Sequence, residues 1–237
     1  MKFLDLTLPT PAENLAADEA LLDYCEHAGG GEFLRVWESP EYFVVVGYAN
    51  KVNVEVNREA CRTRQIPVFR RCSGGGTVVQ GPGCLNYSLV LDVSGNDSLQ
   101  TITGTNRFIM ERQRDLFLGC TEKEVEIEGH TDLVMGVLKF SGNAQRRRKN
   151  FILFHGAFLL DFDLPLIEAL LKMPSKQPPY RKNRLHANFL TNLHWPASQL
   201  KNALRQSWKA LEIASAIPQI PDTLRAKYLR EDWNLKF

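Results

Sequence analysis

Arg70-Arg71-Cys72-Ser73-Gly74-Gly75-Gly76-Thr77-Val78-Val79 is the stretch that decides how this chain folds and where its chemistry sits. Three consecutive glycines remove every Cβ, so the backbone can turn through positive φ and bring its N–H groups close to an anion. Ile66-Pro67-Val68-Phe69 before it and Thr77-Val78-Val79 after it are rich in β-formers, which predicts strand, glycine turn, strand. Arg71 adds a planar fork suited to phosphate or carboxylate oxygens. Taken alone, the string also reads as a hairpin flanked by solvated arginines. Neither G-x-x-x-x-G-K-[ST] nor G-x-G-x-x-G occurs in the chain, so any nucleotide would be held in another way.

The second decisive stretch is Lys139-Phe140-Ser141-Gly142-Asn143-Ala144-Gln145. A lysine closing an apolar strand beside a small Ser-Gly turn can present its ammonium to an acyl carboxylate and then to charge developing at the carbonyl. Its plain reading is a strand-end lysine reaching for water. Phe154-His155-Gly156-Ala157-Phe158-Leu159-Leu160 follows as an apolar strand carrying one histidine.

Around these motifs the patterning alternates between elements. Thr10-Pro11-Ala12-Glu13 is a capping-box pattern with proline at the first helical position, predicting a helix from Pro11 to His27 that Gly29-Gly30-Gly31 ends. Strands are expected at Phe33–Trp37, Tyr42–Val46, Leu85–Leu91, Leu133–Lys139 and Phe151–Leu160, the last two joined by a polar, basic connection. Helical pattern covers 54–64, 101–118, 164–172, 198–213 and 221–229. The fold class expected is α/β (α+β), with mixed and antiparallel sheets flanked by helices.

At 237 residues and 44% hydrophobic content the chain can bury a sizeable core as one domain. The formal charge of +2 leaves no global basic field, so nucleic acid is not an expected partner. Five scattered cysteines without a C-x-x-C pair argue against a disulfide framework or a zinc site. There is no run of roughly 18 apolar residues and no secretory leader pattern, so the expectation is a cytoplasmic protein with no membrane partner.

Together, RRCSGGGTVVQGPGCLNYS, LKFSGNAQ and HGAFLLDFDL, in that order and spacing, resemble the lipoate-protein ligase A family and its class II biotin/lipoate ligase-like catalytic domain. YRKNRLHANFLTNL resembles that family's R-x-x-x-TNL region. The resemblance implies a single catalytic domain over 1–237, with its core at about 14–193 and a helical C-terminal extension at 198–237. It implies a ligase that activates lipoate or octanoate with ATP and Mg2+, then transfers it to a lysine of an apo lipoyl domain. Acceptors would be 2-oxoacid dehydrogenases or the glycine cleavage H protein. The residues it places at the nucleotide are Arg71, Gly76, Thr77, Val78 and Val79, with Gly74 and Gly75 in the same turn. Lys139 would be the catalytic lysine, contacting both carboxylate and α-phosphate. Ser73, Asn86, Ser141, Gly142, His155 and Gly156 would line the pocket, and Asp132 is a candidate metal ligand.

The chain departs from the family pattern just before the lysine, where it carries Gly136-Val137-Leu138. The accessory domain of larger ligases is not expected within 1–237, so a separate accessory protein is a candidate partner. The rival readings are an ATP-independent octanoyltransferase of the same fold, which needs a thiol near Lys139, and a non-catalytic binder of lipoyl domains. The run Arg146-Arg147-Arg148-Lys149 suggests a basic patch steering an acidic acceptor.

Overall fold

A computed structural model describes every residue except Gly119, Cys120, Glu122, Lys123 and Ser215. In chain order the elements are β1 (Lys2–Asp5), α1 (Pro11–Ala28), β2 (Phe33–Trp37), β3 (Phe43–Val46), α2 (Val52–Glu55), α3 (Arg58–Thr63), β4 (Val68–Arg70), β5 (Val78–Gln80) and β6 (Cys84–Asp92). There follow α4 (Ile102–Asp115), β7 (Val125–Glu128), β8 (Asp132–Met135), β9 (Leu138–Arg147), β10 (Phe151–Leu159) and α5 (Leu164–Leu170). The last are α6 (Ala197–Ser207), β11 (Glu212–Ile213), α7 (Asp222–Leu229) and α8 (Glu231–Asn234). Eight strands form one mixed sheet in the order β11-β1-β2-β6-β10-β9-β8-β7, and β4-β3-β5 form a second, smaller one. Mixed sheets flanked by helices are what the sequence predicted.

Local chemistry explains where the elements begin and end. Thr10 Oγ1 accepts from the Glu13 N–H while Glu13 reaches back to the Thr10 N–H, and Gly29 stops α1 in the left-handed region at φ +63. Thr101 caps α4 by accepting from Gly104 N–H. β6 and β10 pair over nine residues each, from Phe151↔Asp92 to Leu159↔Cys84, and their odd-facing and even-facing side chains divide between two layers. Leu85, Tyr87, Leu89 and Leu91 go into the core under α4, while Asn86 and Ser88 face α1 and the small sheet.

Three boundaries differ from expectation. The strand expected at Leu133–Lys139 is broken, because Gly136 at φ +61 turns the chain after Met135 and places Lys139 second in β9. The basic connection is mostly strand: β9 runs on to Arg147 because its polar residues pair with β10 through Ile152↔Arg147. Two of the four basic residues are engaged within the chain: Arg147 donates to Leu99 O at 2.6 Å and to Thr105 Oγ1 at 3.0 Å, and the exposed Arg148 pairs with Asp23 at 2.6 Å. Finally, the C-terminal extension is not helical throughout. α6 stops at Ser207, Lys209 turns at φ +49, and β11 joins the large sheet parallel to β1.

Candidate active site

A cavity of about 930 Å³ opens between the large sheet, the small sheet and the segment 172–190. One wall is the glycine turn. Gly75 adopts φ +86 there, and Gly75, Gly76, Thr77, Val78 and Val79 all line the cavity. Arg71 lines it too, and its guanidinium donates to Gly74 O at 2.6 Å, to Gly76 O at 2.8 Å and to Ser73 Oγ at 3.1 Å. Burial lowers its pKa to about 10, so it stays charged at neutral pH. Arg71 thus supports the turn from within. Ser73 and Gly74 themselves are not on the cavity wall.

The opposite wall is the pleat shared by β6, β9 and β10. Asn86, Ser141, Gly142, His155 and Gly156 converge there through the register pairs Ala157↔Asn86, Ala157↔Gly142 and His155↔Ala144. Lys139 lies along this wall over Gly142, where a Cβ would stand only 2.7 Å from Nζ, so glycine leaves the ammonium its place. Nζ is 2.8 Å from Asp132 Oδ1, and Asp132 Oδ2 accepts from the Tyr180 O–H at 2.7 Å. Burial and the facing carboxylate raise the Tyr180 pKa, keeping that phenol a donor. Asp132 therefore meets a lysine and a tyrosine, and among the described residues no group of three or more His, Cys, Asp or Glu gathers to hold a metal ion.

Several contributors were not singled out from the sequence. Behind His155, Asp18 of α1 and Arg35 of β2 form an ion pair at 2.6 Å with both side chains buried. A charge set in an apolar strand (Phe33-Leu34-Arg35-Val36-Trp37) and another on an apolar helix face were the available signals. Gly47 is required by close approach: a Cβ there would be 2.1 Å from Gly75 O. Arg70, beside Arg71, is wholly buried and donates to Gly47 O at 2.8 Å, Tyr48 O at 3.0 Å and Asn50 O at 2.9 Å, and also to Trp233 O and Lys236 O. Arg70 closes β4 and Arg71 follows it, and the two side chains go to different surroundings, Arg70 to the interior and Arg71 to the glycine turn.

Gly156 supplies a test of the wall's packing. A Cβ there would fall 1.7 Å from Asn143 Oδ1 and 2.9 Å from Gly142 O. Asn143 is held by the Tyr87 O–H at 2.6 Å and donates to Thr131 O at 2.6 Å, so it cannot yield without losing both bonds. Gly156→Ala should cost about 1–3 kcal/mol, read as a lowered Tm, with site activity falling alongside.

Comparison with known proteins fixes the family. A model of the lipoyl protein ligase A/B catalytic domain matches residues 10–216. The chain belongs to that family. Within the lipoyl ligase A/B family it is 29% identical to Octanoyltransferase LipM of Geobacillus kaustophilus, covering 99% of this chain and 98% of that protein. It is 32% identical to Lipoate–protein ligase 1 of Staphylococcus aureus over 74% of this chain and 52% of the relative. Its fold is that of a bi-partite lipoate protein ligase from Thermoplasma acidophilum, solved as part of a lipoylation system with its E2 lipoyl domain (TM-score 0.78, 24% identity, 99% and 95% coverage). The chain is therefore an enzyme of lipoyl or octanoyl transfer. Among the described residues no helix is long and apolar enough to cross a membrane.

Proposed function

We propose that this protein transfers an eight-carbon acyl group, octanoyl or lipoyl, from a carrier-bound thioester to a lysine of an apo lipoyl domain. The observation that carries the reading is the Lys139 ammonium, laid over Gly142 at the floor of the cavity with Asp132 beside it. A fixed cation there faces a bound acyl carbonyl, and Leu15, Val45, Ala157 and Leu159 give the chain an apolar bed. The acceptor amine attacks the thioester carbon, the oxyanion develops toward Lys139, and the C–S bond breaks as the thiolate takes up a proton. End-to-end similarity to the octanoyltransferase relative supports a donor used without ATP.

The thiol required by a covalent route is the weak point of that branch. Cys84 lines the cavity, yet burial pushes its thiol up to about 12, so it carries almost no thiolate at neutral pH. Cys72 is buried and pushed up to about 12 as well. Cys120 lies outside the described residues. Direct attack by the acceptor lysine on the bound thioester needs none of them.

The second reading is ATP-dependent ligation, favoured by the glycine turn. Arg71 and residues 76–79 would hold the nucleotide and Lys139 its α-phosphate, with Mg2+ supplying charge neutralisation for the phosphates when bound. A separate accessory protein would then be a partner. Incubation with an apo lipoyl domain and, in turn, octanoyl-carrier, lipoate with ATP and Mg2+, or synthetic lipoyl-AMP separates the readings by the mass of the acceptor. The thioester reading expects modification from octanoyl-carrier alone, undiminished in Cys84→Ala and Cys120→Ala. Modification only when ATP or lipoyl-AMP is present replaces it with the second.

A further inference from the structure

The lysine that receives the acyl group arrives as an ammonium and must shed a proton before or as it attacks. Lysine has an ordinary pKa of about 10.4, so at neutral pH on the order of one amine in a thousand is free. Lys139 cannot help, since it is itself a cation. The groups around it point to another.

His155 Nε2 lies 2.5 Å from Ser73 Oγ, and its Nδ1 lies 3.6 Å from Asp18 Oδ2. Asp18 is fixed on the far side by Arg35 at 2.6 Å and is bonded by Ser88 of β6. Burial alone would raise the Asp18 pKa, but Arg35, His155 and Ser88 outweigh it and the carboxyl stays below the ordinary range. It remains an anion behind the ring at working pH. Ser73 Oγ accepts from Arg71 Nε at 3.1 Å and has its own proton to give to Nε2; in that tautomer the ring carries its hydrogen on Nδ1, on the side of Asp18. The imidazole thus offers one lone pair, backed by a buried carboxylate.

Its place relative to the acyl carbonyl follows from the register. His155 pairs with Ala144, and Ala144 is two residues along β9 from Gly142, where Lys139 Nζ rests. Two strand residues span about 6.6 Å, enough for a carbonyl and an incoming nitrogen between the ammonium and the ring. The same end is closed by the glycine turn, since a Cβ on Gly75 would touch Ala144 Cβ at 3.3 Å. At the ring itself stand Asp18 from α1 and Ser73 from the turn, with Arg35 from β2 and Ser88 from β6 behind Asp18 and Arg71 behind Ser73.

We propose that His155, oriented by Asp18, is the base that takes the proton from the acceptor lysine as the amide forms. The inference rests on the transfer reading, whichever donor is used. The ring lines the cavity while Ser73 does not, so Nε2 turns from the Ser73 hydroxyl to the incoming ammonium and takes a proton from it. The freed lone pair forms the C–N bond, the carbonyl oxygen charges toward Lys139, and the leaving group departs. That first proton passes from His155 to solvent. As the intermediate collapses, the joined nitrogen sheds its second proton to His155, which hands it to the departing thiolate, or to solvent if the leaving group is a phosphate. Asp18 is a positioning residue that balances the imidazolium.

The test compares two nucleophiles in single turnovers from the bound acyl donor, an apo lipoyl domain and hydroxylamine, which is already neutral at pH 7. His155→Gln and His155→Asn are used together, each checked by its melting curve. The expected result is roughly 100-fold slower transfer to the lipoyl-domain lysine, within the range for a lost general base, and about 3-fold or less with hydroxylamine. Raising the pH toward 10 should restore the lysine reaction in the variants. Equal loss with both nucleophiles in a folded variant, or no loss with either, overturns the proposal. A wild-type protein that modifies the lipoyl domain from no donor defeats the transfer reading itself, and the base with it.

Discussion

Lys139→Met should lower acyl transfer by about 100- to 1,000-fold while leaving the melting temperature close to that of the wild type. The magnitude is that of removing one donor from a preorganised oxyanion site. Methionine keeps most of the length and the apolar stem that lies along Gly142, so the packing change is small. Asp132 is left without its cation, yet it keeps the Tyr180 hydrogen bond and is partly open to water, with 14% of its side chain exposed, so no unpaired buried charge is created. Transfer to an apo lipoyl domain, followed by mass alongside a thermal melt, reads both halves. More than a tenth of wild-type transfer in a folded variant would remove Lys139 from the centre of the chemistry.

Asp18→Ala should do the opposite, striking the fold first. Arg35 is wholly buried, and its guanidinium is satisfied by Asp18, Asn14 and the Leu6 and Asn14 carbonyls. Deleting the carboxylate leaves a cation in the interior with no counter-charge, a loss of about 3–5 kcal/mol. For a chain of this length that corresponds to a Tm lower by roughly 6–20 °C. Arg35→Met on top of Asp18→Ala should recover part of it, because the stranded charge is then gone. A drop under about 1 kcal/mol would mean the pair is solvated in solution. The pH dependence follows from the lowered Asp18 pKa. The unfolded chain binds this proton more readily than the folded one, so the stabilisation is complete above pH ~4 and disappears as pH falls through the lower folded value. Asp18→Ala should therefore flatten the acid limb of the stability curve.

What could be read from the sequence divides along one physical line. Features set by neighbours in the chain were legible: the Thr10/Glu13 capping box, the strand–glycine turn–strand, and the alternation of β6. Lys139 was legible as a residue but not in its setting, because the Gly136 turn makes it the start of β9 rather than the end of β8. The support behind the site was not legible at all. Asp18, Arg35 and His155 come from α1, β2 and β10, and only tertiary packing brings Asp18 to 2.6 Å from Arg35 and 3.6 Å from His155. Arg70 and Arg71 show the limit most sharply. They are neighbours in the sequence, and only the packed structure says which of them braces the Gly-rich turn from within the cavity and which is sealed in the interior.

The buried arginine makes a distant segment part of the site's support. Arg70 ties Gly47, Tyr48 and Asn50, the segment pressed against Gly75, to the carbonyls of Trp233 and Lys236. Those two carbonyls follow every strand of both sheets in the sequence, so the glycine turn is braced across the whole length of the fold rather than by its neighbours. Pulling that segment away would leave a buried guanidinium short of two acceptors and free the backbone on which Gly75 rests.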